Sequence, residues 1–179
     1  MRPIFLIGFM GSGKSTLGRA LAEATGLDFI DLDTYIERRF HANIREIFAR
    51  EGEAGFRELE RRMLEEVSQF QDVIIACGGG TPCFFDNIHT MNRSGQTVFL
   101  EASHSRLLER LKAGRRRRPL IAAMTDDELS DYITDALNRR MPHYLQASDT
   151  FCADWLDSRQ MIDESVALFI SRCNLPTAR

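Results

Sequence analysis

A chain of 179 residues is the size of one domain, and such a domain buries roughly 70% of its unfolded surface without covalent staples. A net charge of −3 excludes the global basic field that recruits nucleic acid, and no apolar run is long enough to span a membrane. Cys77, Cys83, Cys152 and Cys173 lack CxxC spacing and no export signal is visible, so a cytoplasmic protein with reduced thiols is expected.

In chain order, apolar runs at 4–8, 29–32, 73–77, 97–101 and 150–153 predict five strands. Between and after them, amphipathic stretches at 14–25, 34–40, 53–70, 85–93, 103–112, 126–145 and 159–172 predict helices. Short apolar strands separated by helices point to βαβ units and an α/β fold with a parallel sheet. The strands are continuously apolar because helices cover both faces of such a sheet. Residues 112–125 follow neither period and read as a long functional loop.

The first strand runs into Gly8-Phe9-Met10-Gly11-Ser12-Gly13-Lys14-Ser15-Thr16, which fits G-x4-G-K-[ST]. The glycines let successive backbone N–H groups turn toward phosphate oxygens, and the next helix adds its own free N–H groups. Gly11, Ser12, Gly13, Lys14, Ser15 and Thr16 are the candidate nucleotide contacts, with Lys14 on the β- and γ-phosphates and Ser15 on Mg²⁺. The second strand ends in Asp31-Leu32-Asp33, and alternation predicts both carboxylates on one side. One could hold Mg²⁺ through water and the other the acceptor hydroxyl. An N-cap at Asp33, for a helix opening at Thr34, is the competing reading.

Arg57 and Glu60 stand three apart, the spacing of an ordinary surface ion pair. Phe48 and Phe56 could form an apolar wall. Gly78-Gly79-Gly80 follows the third strand and implies a tight turn or close ligand approach. The run Arg115 to Arg118 sits in the long loop, without a basic surface elsewhere that would suggest nucleic acid. Lysine occurs only at Lys14 and Lys112, and the arginine bias suits planar, bidentate recognition of carboxylate and phosphate.

From Pro3 to about Phe169 these motifs together resemble the shikimate kinase family. The resemblance implies a five-stranded parallel sheet of order 2-3-1-4-5, in one P-loop kinase domain over 1–179. It implies a substrate-binding helical segment at about 33–62 and a mobile lid at about 112–125. It places Asp31 near Mg²⁺, Asp33 on the substrate hydroxyls, and Arg57 on the substrate carboxylate with Glu60 steadying it. Gly78, Gly79 and Gly80 would contact the substrate through backbone. Arg118, in Arg118-Pro119-Leu120, would reach the phosphates from the lid, and Arg140, in Arg140-x-Pro142-x-Tyr144, would be a second carboxylate arginine. Arg110 would lie against adenine, with Trp155, the only tryptophan, nearby.

The implied activity is ATP-dependent phosphorylation of the 3-hydroxyl of shikimate, with Lys14, Asp33 and Arg118 as the catalytic groups. The expected partners are ATP, Mg²⁺ and shikimate, and neither nucleic acid nor a membrane, in a monomer. A gluconate- or nucleoside monophosphate-type kinase, or a nucleotide-binding module without turnover, are the rivals. The combination of Asp31/Asp33, Phe56-Arg57, Gly78 to Gly80 and Arg140 favours shikimate.

Overall fold

The structure, a computed structural model, describes residues 1–177, and of Arg117 only the backbone. Five strands, β1 (Ile4–Ile7), β2 (Asp28–Asp31), β3 (Val73–Ala76), β4 (Gln96–Glu101) and β5 (Asp149–Cys152), pair in parallel in the order β2-β3-β1-β4-β5. That is the order the resemblance implies. Seven α-helices fill the connections: α1 (Lys14–Thr25), α2 (Leu32–Phe40), α3 (Ile44–Val67), α4 (Asn87–Ser94), α5 (His104–Ala113), α6 (Asp126–Tyr144) and α7 (Arg159–Cys173).

The period of two along a strand explains the continuous apolar runs. Phe5 and Ile7 of β1 pack into one core with Ile36, Leu64, Ile88 and Tyr144, whereas Ile4 and Leu6 pack into a second core with Leu17, Leu21 and Phe169. Alternate residues of β3 and β4 divide the same way, so these three central strands are buried on both faces. A third cluster joins Phe9 of the P-loop to α5, α6 and the segment between them through Leu107, Leu111, Ile121, Leu129 and Ile133. The nucleotide-binding motif is thereby packed directly against the base of the long loop.

Two helices start earlier than the periodicity predicts, while α4 and α5 start two residues and one residue later. α2 begins at Leu32, because the Asp31 side chain accepts from Thr34 N at 3.3 Å and caps the helix. Asp33 therefore lies in the first helical turn and is not the cap, and strand alternation does not set its direction: Asp31 turns to Ser15 while Asp33 lines an adjoining cavity. α3 begins at Ile44, nine residues before the predicted start at 53, behind a capping box of Asn43 and Glu46.

The helical pattern of 44–51 is hidden from 53–67 by a break at Gly52, with φ 69° and ψ −179°, a conformation nearly restricted to glycine. An added Cβ there meets no atom within 4 Å, so Gly52→Ala carries only the backbone cost, of order 1–3 kcal/mol. Thermal melts should show a midpoint lower by roughly 3–10 °C for a chain of this size. An unchanged midpoint would mean that the break relaxes freely.

Candidate active site

In an open parallel α/β sheet, ligands gather where the strands end. Here the loop after β1, Asp31 at the end of β2, the glycine run after β3 and the loop after β5 all meet at that edge. A cleft of about 400 Å³ is lined there by Gly11, Gly13, Lys14, Ser15, Thr16, Arg110, Arg118, Leu156 and Asp157. Gly8, Gly11 and Gly13 take positive φ, turning the peptide groups of the P-loop around the start of α1. The Lys14 ammonium donates to Gly8 O and Phe9 O, each at 2.8 Å, which tucks the side chain along the loop. Ser15 Oγ donates to Asp31 Oδ2 at 2.7 Å. This pair of hard oxygens beside the phosphate-binding turn fits Mg²⁺, which takes few protein ligands and keeps water and phosphate oxygens for the rest.

Every N–H of Arg110 is engaged. Its Nε and one terminal nitrogen form a fork on Asp157 at 2.6 and 2.9 Å, and the remaining hydrogens reach the carbonyls of Gly11, Ala153 and Asp154 at 3.4, 2.9 and 3.1 Å. The guanidinium fastens α5 to both the P-loop and the loop after β5, and leaves its flat faces for stacking. Leu156 and Asp157 line the cleft, but Trp155 does not; its side chain is 55% exposed outside the lining. The apolar residue of that loop facing the cleft is Leu156, the chain neighbour of Trp155.

A second cavity of about 170 Å³ adjoins the P-loop and is lined by Met10, Asp33, Ile44, Phe48, Phe56, Arg57, Glu60, Arg140 and the glycine run. The glycines are required by close approach. A Cβ on Gly78 would stand 3.1 Å from Asp33 Oδ1, one on Gly79 3.3 Å from the Arg140 guanidinium, and one on Gly80 2.9 Å from that of Arg57. The run is the floor on which three charged side chains rest. Arg57 donates to Glu60 Oε2 at 2.8 Å and stacks over Phe84 with its guanidinium carbon 4.0 Å from the ring centre. With Arg57 14% and Glu60 1% exposed, this is a buried pair and not the surface pair that the spacing alone allows. Arg140 lies over the Phe9 ring at 5.3 Å, and Tyr144 Oη donates to Gly79 O at 2.6 Å beneath it. Phe48 and Phe56 stack at 4.2 Å to form the apolar wall.

The electrostatics set two groups apart. The Asp33 carboxyl is pushed up from 3.8 to about 6, chiefly because surrounding protein strips its hydration, then because Asp31 and Glu60 crowd it with negative charge. The residue as a whole stays exposed at the cavity mouth, so its carboxyl is crowded from one side only. Lys14 is lowered from 10.5 to about 8, first by burial of its ammonium and against the pull of Asp33, Cys77 and Asp31. Burial pushes the Cys77 thiol well above its ordinary value, consistent with a small core residue and not a nucleophile.

The arginine run divides. Arg118 is half-buried, packs over Gly114 and faces the nucleotide cleft. Arg115 is turned the other way, donating to Met124 O at 2.9 Å and to the Asp126 carboxylate, where Lys112 also binds at 2.5 Å. Arg116 is exposed, and the side chain of Arg117 lies outside the described residues. The remaining sequence-predicted residues fall in two adjoining groups: Gly11 to Thr16, Asp31, Arg110 and Arg118 by the cleft, and Asp33, Arg57, Gly78 to Gly80 and Arg140 by the cavity, with Ser12 buried inside the P-loop. Sequence reasoning missed Met10, Ile44, Phe84, Leu156 and Asp157, which are drawn in by tertiary packing. Only Met10, inside the P-loop motif, carried any local signal.

Comparison with known proteins agrees with this geometry. The family model described as shikimate kinase matches residues 10–170. A shikimate kinase of Bacteroides fragilis is 51% identical over 175 residues, covering 98% of this chain and 98% of its own. The crystal structure of shikimate kinase from Bacteroides thetaiotaomicron superposes with a TM-score of 0.94 at 49% identity, over 97% of this chain and 99% of its own. That of the Acinetobacter baumannii enzyme in complex with shikimate superposes with a TM-score of 0.83 at 31% identity, over 97% of this chain and 94% of its own. Near-complete coverage at this identity, on a sheet of matching order with both groups of site residues in place, makes the chain a member of the shikimate kinase family.

Proposed function

We propose that this protein phosphorylates the 3-hydroxyl of shikimate at the expense of ATP, giving shikimate 3-phosphate and ADP for aromatic amino acid synthesis. The observation that carries this reading is the small cavity beside the P-loop. It sets two arginines and two carboxylates, of which Glu60 is already paired with Arg57 and Asp33 is not, around a stacked aromatic wall, as a carbocyclic acid with ring hydroxyls requires. A module without turnover has no use for Asp33 at the junction of cavity and P-loop. The chain acts as one domain and a monomer in the cytoplasm; among the described residues no helix is long and apolar enough to cross a membrane.

The residues divide the work by charge. The P-loop amides from Gly11 to Thr16 and the Lys14 ammonium bind the β- and γ-phosphates, and Arg110 stacks on the base. Ser15 and Asp31 would hold Mg²⁺, which would supply neutralisation of phosphate charge there. Arg57 and Arg140 clamp the acceptor carboxylate, which sets the distance from hydroxyl to γ-phosphate. Asp33 orients that hydroxyl and takes its proton. The lid at 112–125 brings Arg118 onto the developing charge and excludes water that would compete as acceptor.

The test is ADP release measured with shikimate, quinate, gluconate, AMP and CMP. Shikimate should stimulate release far above the others, and equal stimulation by gluconate or a nucleotide would refute the assignment. Arg140→Ala is the cleaner probe of the clamp, since Arg57→Ala also strands the buried Glu60 carboxylate. Loss of a charge-assisted bond is worth about 1.5–3 kcal/mol, so Arg140→Ala should raise the KM for shikimate roughly 10- to 150-fold and leave that for ATP in place. Arg140→Lys should restore only part of it, because lysine lacks the bidentate fork.

A further inference from the structure

We propose that Thr81 is a positioning residue for the acceptor site, fixing the carboxylate that orients Arg57, with Asn87 anchoring it from behind. The inference rests on the reading above, in which Arg57 holds the acceptor carboxylate. Thr81 opens a short 3-10 turn, Thr81–Cys83, directly after the glycine run. Its Oγ1 donates to Glu60 Oε1 at 2.6 Å, while Glu60 Oε2 accepts from Arg57 at 2.8 Å. Asn87, at the start of α4, donates its Nδ2 to Thr81 O at 2.8 Å. Thr81 is 0% exposed and Glu60 and Asn87 1% each. The hydroxyl therefore cannot touch the acceptor and acts only through Glu60.

A carboxylate held by one donor can still turn about its own axis; a second donor on its other oxygen stops that rotation. Thr81 supplies the second donor from a β-branched side chain with restricted χ1, in a turn whose backbone is itself tied down by Asn87. The restraint matters because Glu60 is crowded by a like charge, the Asp33 carboxylate, across Gly78. Thr81 Oγ1 and Glu60 Oε1 lie 2.9 and 3.3 Å from the place a Cβ on Gly78 would take, beside Asp33 Oδ1 at 3.1 Å. Without the hydroxyl, Glu60 is a buried carboxylate short of one donor. It is free to rotate both oxygens toward Arg57 and pull the guanidinium down off its seat over Phe84. With the hydroxyl in place, the glycine run, Glu60 and Arg57 are held as one unit, since the same turn carries the run and the donor.

A filler role makes the opposite ordering of variants. Thr81→Val keeps the volume and loses the hydroxyl, whereas Thr81→Ser keeps the hydroxyl and loses the methyl. Positioning predicts that Thr81→Val raises the KM for shikimate about 10-fold, with kcat and the KM for ATP within about 2-fold of wild type, and that Thr81→Ser stays within about 3-fold throughout. Thr81→Ala repeats the measurement in a variant that no steric clash can unfold, and it should resemble Thr81→Val. A wild-type shikimate KM in Thr81→Val or Thr81→Ala, or a Thr81→Ser variant as impaired as Thr81→Ala, overturns the proposal. Failure of the underlying assignment looks different: the wild-type protein itself would then show no shikimate-dependent ADP release.

Discussion

Asp33→Asn is expected to turn over about 10²-fold more slowly than wild type while binding ADP normally. A general base contributes 10²–10⁴-fold, and the loose transition state of phosphoryl transfer draws the estimate to about the lower end. Position makes the variant informative. Asp31, not Asp33, caps α2, so no helix cap is lost with the charge. The sign of the stability effect follows from the raised pKa. A carboxyl at about 6 in the folded protein, against 3.8 ordinarily, opposes folding at pH above 6, and that cost vanishes as pH falls below the lower value. The asparagine variant should therefore melt no lower than wild type at pH 7.5, even as turnover collapses. In wild type, kcat/KM for shikimate should fall as pH drops through about 6, and this limb should be missing from what activity Asp33→Asn retains. Turnover near wild type, or an acid limb that persists unchanged, would remove Asp33 from the proton transfer.

Lys14→Ala should lose about 10²–10³-fold in kcat, the scale of removing one donor aimed at developing oxyanion charge, and should weaken ADP binding as well. This double failure separates it from Asp33→Asn. The side chain also bridges two carbonyls of the P-loop, so its loss loosens the turn that presents the backbone amides. Because burial lowers its pKa to about 8, the free enzyme should lose kcat/KM for ATP as pH rises through that value. Bound phosphate favours the ammonium and draws its pKa back up, so the alkaline limb of kcat should lie higher than that of kcat/KM. Coincident alkaline limbs in the two profiles, or unaltered ADP affinity in the alanine variant, would contradict the role.

The order of elements was legible because the central strands are buried on both faces and the helices on one, and these produce different periods in the sequence. The P-loop was legible because its chemistry is local: glycines, a lysine and a hydroxyl in one turn. Helix starts were harder. Asp31 caps α2 from the end of a strand, where a reading by periodicity continues the strand, and Gly52 divides α3 so that its first two turns stand apart from the pattern of the rest. At the site, the spacing of Arg57 and Glu60 was visible, but their burial was not. It depends on Phe84 and Thr81, more than twenty residues on. Asp157 escaped notice for the same reason, since its partner Arg110 is 47 positions away. The four consecutive arginines look equivalent as letters. Only the fold turns Arg115 toward Asp126 and Arg118 toward the P-loop.

The knot at Asp126 has an entropic consequence for the proposed lid. With Lys112 and Arg115 both held by one carboxylate, and Arg115 also on the Met124 carbonyl, the two ends of the lid are cinched together before any nucleotide arrives. Freezing a residue's backbone costs about 1–2 kcal/mol, and the cinched residues have already met that cost on folding. Closure then has to order only the short arc between them, so less of the binding energy of ATP is diverted into taming the loop and more remains to press Arg118 onto the phosphates.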